Sequence, residues 1–398
     1  DSTTRIPLAE AMSAAVLVLI TRLRELKTNV DLEVGPDAAD EYLPVDQLHN
    51  ALRGIVAGLL RHGTSQAMRG HLYGTLLNYL QYTKAAAVAA QSKAVSAHDQ
   101  THHAELMEQL RALHSGNVAV LGTGGERLVE ILCSDASDAS PLYRSLAFAV
   151  LDALVSYDPQ DRWLEVMSAR GFLRTFLDEL SAAPKQAELN EVVSPSPGAQ
   201  ALNLLYVYES KMSMLVHVAG TRRGALSLVE NGVCDRVREC RFVDRWPEVT
   251  ALGRGMGVDE GSSSQWMPPL LARYHQLLTP VLQLLAALLT SLPNNRDVAA
   301  QVLAVIVAHQ ELFSTILKDR RPVITMCSLR ALWLVTGLFY RLARHLDLLR
   351  ERLPVHAFKY ESLLLNLLFK YSSINNWLHY LQPVTLDERR LASEELLS

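Results

Sequence analysis

The sequence predicts an all-α protein, an irregular α-helical solenoid of armadillo or HEAT-like superhelical character, and three observations carry that expectation. Apolar residues recur with helical spacing along nearly the whole chain, and no segment shows strand alternation bounded by hairpin turns. Helices are separated by glycine stops and capped prolines, the grammar of antiparallel helix pairs, and that grammar has no fixed period. The composition, 49% hydrophobic and 20% charged, is that of a folded chain and not of a disordered one.

Taken in order, helices are expected over residues 8–27, 43–61, 66–97, 105–114, 125–133, 142–157, 160–169, 172–180, 200–219 and 224–230. A second series follows over 269–292, 297–309, 312–318, 323–349 and 355–381. Ser140 before Pro141, and Asp158 before Pro159, each place a capping residue ahead of a proline at the first helical position. Gly171 and Gly232 suit a left-handed stop between successive helices. Three stretches read as breaks: 31–44, acidic with two prolines; 182–198, with Pro195 and Pro197; and 244–268, with its Gly and Ser cluster. The domain organisation expected from them is a first helical-repeat segment over 1–243, a mobile loop or insertion over 244–268, and a C-terminal helical-repeat segment over 269–398. One continuous solenoid is the alternative.

Charge and cysteine usage exclude several classes. Lys and Arg total 38 against 42 Asp and Glu, a formal net charge of −4, which provides no overall field for nucleic acid or an anionic membrane. The four cysteines, Cys133, Cys234, Cys240 and Cys327, form no Cys-x-x-Cys pair and read as reduced, mostly buried thiols. No stretch reaches the roughly 18 uninterrupted apolar residues of a membrane helix, so no membrane insertion is expected. The first residues, Asp1 to Thr4, show neither an initiator Met nor a secretory signal, which reads as a segment of a longer chain.

No catalytic constellation survives inspection, and no enzyme, cofactor or metal is expected. The run from Val118 to Glu126 mimics a dinucleotide turn, but Arg127 stands where the third glycine of the fingerprint belongs and no second strand follows; it reads as a loop entering a helix. His98 and His102 are spaced to share a metal on a helix, with His103 and Glu105 nearby, yet the stretch is polar and loop-like and lacks a cysteine. Ser262, Ser263 and Ser264 lack the nucleophile elbow. Arg341, Arg344, His345, Arg350 and Arg352 form a basic cluster, but Asp347 and Glu351 interleave with it and no stacking aromatics do.

The segment 355–381 is more informative. Lys359, Ser362, Asn366, Lys370 and Ser373 make one narrow polar stripe, and apolar residues cover most of the remaining circumference, so burial on more than one side is expected. A solenoid's last repeat normally has a polar outer face. An apolar one suits a partner helix lying in a groove, whose lining is expected at Leu364, Leu368, Phe369, Ile374, Trp377 and Leu378. Equally, residues beyond Pro383, among them Leu386, Leu391, Leu396 and Leu397, could fold back as a cap.

From Leu204 the chain reads LLYVYESKM, ending at Met212, and continues with Val218, Ala219, Gly220, Thr221, Arg222, Arg223, Gly224 and Ala225. With supporting segments at 126–138, 163–178, 232–247 and 274–290, this resembles the C-terminal region of the large inner-ring scaffold nucleoporins. The resemblance implies a structural constituent of the nuclear pore at the nuclear envelope, serving pore assembly and nucleocytoplasmic transport. It also implies a tail that binds a short amphipathic helix of a linker nucleoporin. Tyr206, Tyr208, Glu209 and Lys211 of the motif are expected to serve packing, with Glu209 and Lys211 diverging on the helix and each finding another partner. The competing expectation is a soluble helical-repeat transport receptor or adaptor that carries cargo and binds phenylalanine-glycine repeats.

Overall fold

The structure, a computed structural model, describes residues 2–33, 45–96, 100–158, 160–247, 268–319, 325–352 and 356–373. Every regular element among them is helical, as the periodicity requires. The chain divides into two compact units, residues 1–170 and 171–398.

The first unit contains α1 (Ser2–Glu33), α2 (Val45–Leu60), α3 (Gln66–Ser96), α4 (Gln100–Asp138), α5 (Pro141–Tyr157) and α6 (Arg162–Ala169). α1 packs on α3, α2 on α3 and α4, α5 on both α3 and α4, and α6 on α4. Leu52, Leu59, Tyr73, Leu76, Leu121, Leu132 and Phe148 are almost wholly removed from water and form the core. Each such side chain contributes about 1.5–3 kcal/mol relative to exposure. One polar cluster is set among them. Arg69 donates from Nε and Nη2 to the two oxygens of Asp135 at 2.7 and 2.8 Å, and the Tyr73 hydroxyl donates to Asp135 Oδ2 at 2.6 Å. This fork ties the start of α3 to the end of α4; burial, with the Asp135 charge beside it, pushes the Tyr73 hydroxyl far above its ordinary range.

The run expected to be a loop entering a helix proves to be helical. Residues 118–124 continue α4, and the break falls at Gly125, with φ +50° and ψ −145°. A Cβ on Gly125 would meet nothing within 4 Å, so the requirement there is conformational. Gly124 serves space instead, since a Cβ would stand 3.2 Å from Val56 Cγ1 and 3.1 Å from Leu128 Cβ. Gly124 is thus a packing residue and Gly125 a kink residue.

The second unit begins with Gly171, left-handed at φ +78°, and then runs α7 (Phe172–Ser181), α8 (Ala183–Val192), α9 (Ala201–Ala219), α10 (Arg222–Glu230) and α11 (Val233–Arg238). Gly232, at φ +79°, makes the expected left-handed turn before α11. A 3-10 turn (Arg241–Asp244) follows, then α12 (Leu270–Ser291), α13 (Arg296–Ala308), α14 (Gln310–Lys318), α15 (Met326–Leu342), α16 (Leu346–Arg352) and α17 (His356–Ser373). α12 is the spine, packed between α9 and α15. The Tyr208 hydroxyl of α9 donates to the Leu277 carbonyl at 2.8 Å, and the Tyr274 hydroxyl of α12 donates to the Val243 carbonyl at 2.6 Å. Helices on either side of the 244–268 break therefore share one unit; of that break, 248–267 lie outside the described residues.

Several expectations are refined. The 182–198 stretch contains α8, which buries only Leu189 and Val192 and so lacks the apolar stripe that would have announced it. The Asp158 carboxylate accepts from the amides of Gln160 and Trp163 at 3.2 and 2.9 Å, but the residue that precedes the helix is the left-handed Asp161, and α6 starts only at Arg162. The 323–349 helix is divided by a 3-10 turn at Ala343–His345. Cys133, Cys234 and Cys240 are buried free thiols, and burial pushes Cys234 and Cys240 up to about 12.

Candidate partner-helix surface

α17 carries the candidate site, and its geometry follows from how it is anchored. It packs on α14, and its Tyr360 ring lies 4.9 Å from that of Phe339 on α15. Tyr360 and Leu367 are buried, Leu363, Leu364 and Tyr371 half-buried, which defines one inward face at helical spacing. The far end is pinned by Asp319, a left-handed residue at φ +37° that ends α14. Lys370 Nζ donates to the Asp319 carbonyl at 2.9 Å and pairs with its carboxylate, and the Tyr371 hydroxyl donates to Asp319 Oδ2 at 2.9 Å. Lys370, a member of the expected polar stripe, is thus turned toward the body of the unit by a partner 51 residues away in sequence. No local pattern announces such a partner.

The outward face is apolar. Phe358 is 76% exposed, Phe369 74%, Leu368 68% and Leu365 60%. Phe358, Leu365 and Phe369 are spaced seven and four apart, which puts them in one line along the helix. Among the described residues α17 is buried on one side only, so the second covering expected from composition is not supplied by them. Of the six expected lining residues, Leu368 and Phe369 point outward and Leu364 sits half-buried at the edge. Ile374, Trp377 and Leu378 lie outside the described residues, as do the leucines of the alternative cap. Phe358 and Leu365 lie outside the expected lining, although the step of seven from Phe358 to Leu365 and of four from Leu365 to Phe369 stands in the sequence.

The motif residues of α9 divide. Tyr208 is buried, edge-on to Phe242 at 5.7 Å, and buried Lys211 pairs with Glu179, so these two serve packing as expected. Tyr206 instead faces solvent. Glu209 is half-buried, and burial pushes its carboxyl up to about 6.

The remaining candidates are dispersed or undescribed. Arg341 donates to Thr290 Oγ1 at 2.8 Å, and His345 lies 3.2 Å from the Pro293 carbonyl. The interleaved acids Asp347 and Glu351 engage Arg296 at 3.0 and 3.7 Å. His98 and Ser262 to Ser264 lie outside the described residues, and His102 and His103 fall in α4 at positions whose side chains are not described. Among the described residues no group of three or more His, Cys, Asp and Glu could hold a metal. No single helix among them is long and apolar enough to cross a membrane.

Layered helices with side-chain clamps between them define an all-α, helical-repeat protein. Its sequence matches, over residues 1–343, the family of nuclear pore complex scaffold nucleoporins 186/192/205. It is similar to the human nuclear pore complex protein Nup205, 32% identical over 305 residues, covering 74% of this chain and 14% of the human protein. Nup205 of Drosophila melanogaster is 27% identical over 71% of the chain and 13% of that protein, and NUP205 of Arabidopsis thaliana 21% over 78% and 18%. The chain belongs to this family of nuclear pore scaffold nucleoporins, and it spans less than a fifth of the length of these relatives. α17 lies beyond the matched residues.

Proposed function

We propose that this chain is a structural piece of the nuclear pore inner ring and that the outward face of α17 receives an amphipathic helix from a linker nucleoporin. Catalysis has no part in this reading. The observation that carries it is the line of Phe358, Leu365 and Phe369, flanked by Leu368, on a helix whose opposite face is already committed to α14 and α15. A partner helix with apolar residues at three- and four-residue spacing is the complementary shape, and aromatic anchors near the centre of such a contact dominate its affinity.

The test is a titration of the protein with an amphipathic peptide from a linker nucleoporin, paired with a thermal melt of each variant. Phe369→Glu and Leu365→Glu should weaken binding on the order of a hundredfold while the melt stays within a few degrees of the parent. Unchanged binding in both variants would move the surface elsewhere. Saturable binding of phenylalanine-glycine peptides, with none of the helical peptide, would favour the transport-receptor alternative.

A further inference from the structure

The first unit holds a cavity of about 220 Å³ between the later part of α3, the middle of α4 and the end of α5. Thr83, Lys84, Leu113, His114, Asn117 and Tyr157 line it. One wall is a stack, the His114 and Tyr157 rings lying 5.4 Å apart and 26° from parallel. Tyr157 also shares a hydrogen bond with Thr83 Oγ1 at 2.8 Å, so those two hydroxyls are engaged with each other.

Asn117 is the exception to that economy. It is wholly buried, and its Oδ1 accepts from the Tyr79 hydroxyl at 2.7 Å, but its Nδ2 meets no acceptor among the described residues. A buried amide donor left unpaired forfeits a hydrogen bond that the unfolded chain makes to water. Exchanging the amide's oxygen and nitrogen would reverse the bond to Tyr79 and strand the oxygen instead, so one polar atom of Asn117 is orphaned either way. A hydroxyl, which donates and accepts, answers both orientations.

The size of the cavity, below the roughly 300 Å³ at which sites for whole small molecules begin, suits one side chain. The stacked wall suits a ring. Lys84 is exposed, and no carboxylate is among the lining residues, so the mouth is cationic. We infer that this cavity is a docking site for a tyrosine side chain of a partner protein, its hydroxyl meeting the Asn117 amide, with acidic residues beside the tyrosine facing Lys84.

The experiment uses the full chain labelled with ¹⁵N-asparagine, the Asn117 amide pair being assigned by its loss in Asn117→Asp. Titration with p-cresol, the tyrosine side chain, should give a saturable shift of that pair, and toluene should act at least tenfold more weakly. Ser156 is exposed at the lining, and among the described residues its hydroxyl donates to the Asp152 carbonyl of its own helix, so Ser156→Trp should close the mouth and abolish the response. Lys84→Glu should leave the p-cresol response intact and weaken binding of the peptide acetyl-Glu-Tyr-Glu-amide at least tenfold. No saturable shift at millimolar p-cresol, as when an ordered water alone occupies the cavity, overturns the inference. So does an equal response to toluene, or a shift that survives Ser156→Trp.

Discussion

α9 and α17 are both leucine-rich helices with aromatic residues, yet they are buried to very different extents. α9 lies against α8, α10 and α12, and Leu205, Tyr208, Met212, Leu215 and Val218 are removed from water. α17 has its main contact with α14, and Phe358, Leu365, Leu368 and Phe369 remain in solvent. Composition specifies how much apolar surface a helix carries; the number of neighbours decides how much of it is spent on folding. On α9 most apolar side chains are stability residues, and on α17 about half of them are free for another use.

The largest effect that would sharpen this contrast is Leu215→Ala. Leu215 is fully buried, and the change should cost about 3 kcal/mol in denaturant-midpoint measurements, through lost transfer energy and the cavity left behind. A cost near zero would mean that α9 is not the core helix its burial indicates.

Next is Asp319→Asn, which keeps a residue at ease in the left-handed region and removes the charge that Lys370 faces. The expected cost is about 1–2 kcal/mol, with α17 amides losing hydrogen-exchange protection before those of α9. Loss of protection in both helices together would show that α17 is not separately anchored.

Glu209 gives a smaller effect with a pH signature. Its carboxyl, normally near 4.5, is pushed up to about 6 by burial, so the folded chain holds that proton more tightly than the unfolded one. The associated stability is complete below about pH 4.5 and is lost as pH rises through about 6. Glu209→Gln should therefore raise stability by about 1 kcal/mol at pH 7.5, after allowance for solvent screening, and change it little at pH 4.5. A gain of equal size at both pH values would assign the effect to something other than ionisation.

The smallest expected effect is Phe369→Ser on the outward face of α17, within about 0.5 kcal/mol of the parent. A large loss would show that Phe369 is covered in solution and would break the comparison at its foundation.

What was readable in the sequence is what is decided locally. Gly171 and Gly232 announce left-handed turns because few other residues adopt them cheaply. The apolar stripes of α9 and α12 announce buried helices because 3.6-residue periodicity survives in the letters. α8 was not legible, since two buried residues make no stripe. The engagement of Lys370 was not legible because its partner Asp319 is distant in sequence. At the candidate site the apolar surplus of α17 was legible, and the exposure of Phe358 and Leu365 was not, since exposure depends on which neighbours exist. Asn117 was invisible for the same reason. A buried, half-satisfied amide looks like any other asparagine until the helices around it are placed.

Gly125 has one further consequence, and it concerns handedness. Its backbone angles, +50° and −145°, are the reflection of about −50° and +145°, an extended conformation close to the one that ordinary residues adopt in polyproline segments. The kink in α4 is therefore a point where the chain behaves as its own mirror image for one residue. An L-alanine there would have room for its methyl group but no comfortable torsion, whereas a D-alanine, introduced by chemical ligation, would find that torsion a comfortable one. An achiral residue is what lets a left- and a right-handed requirement meet in one 39-residue helical stretch.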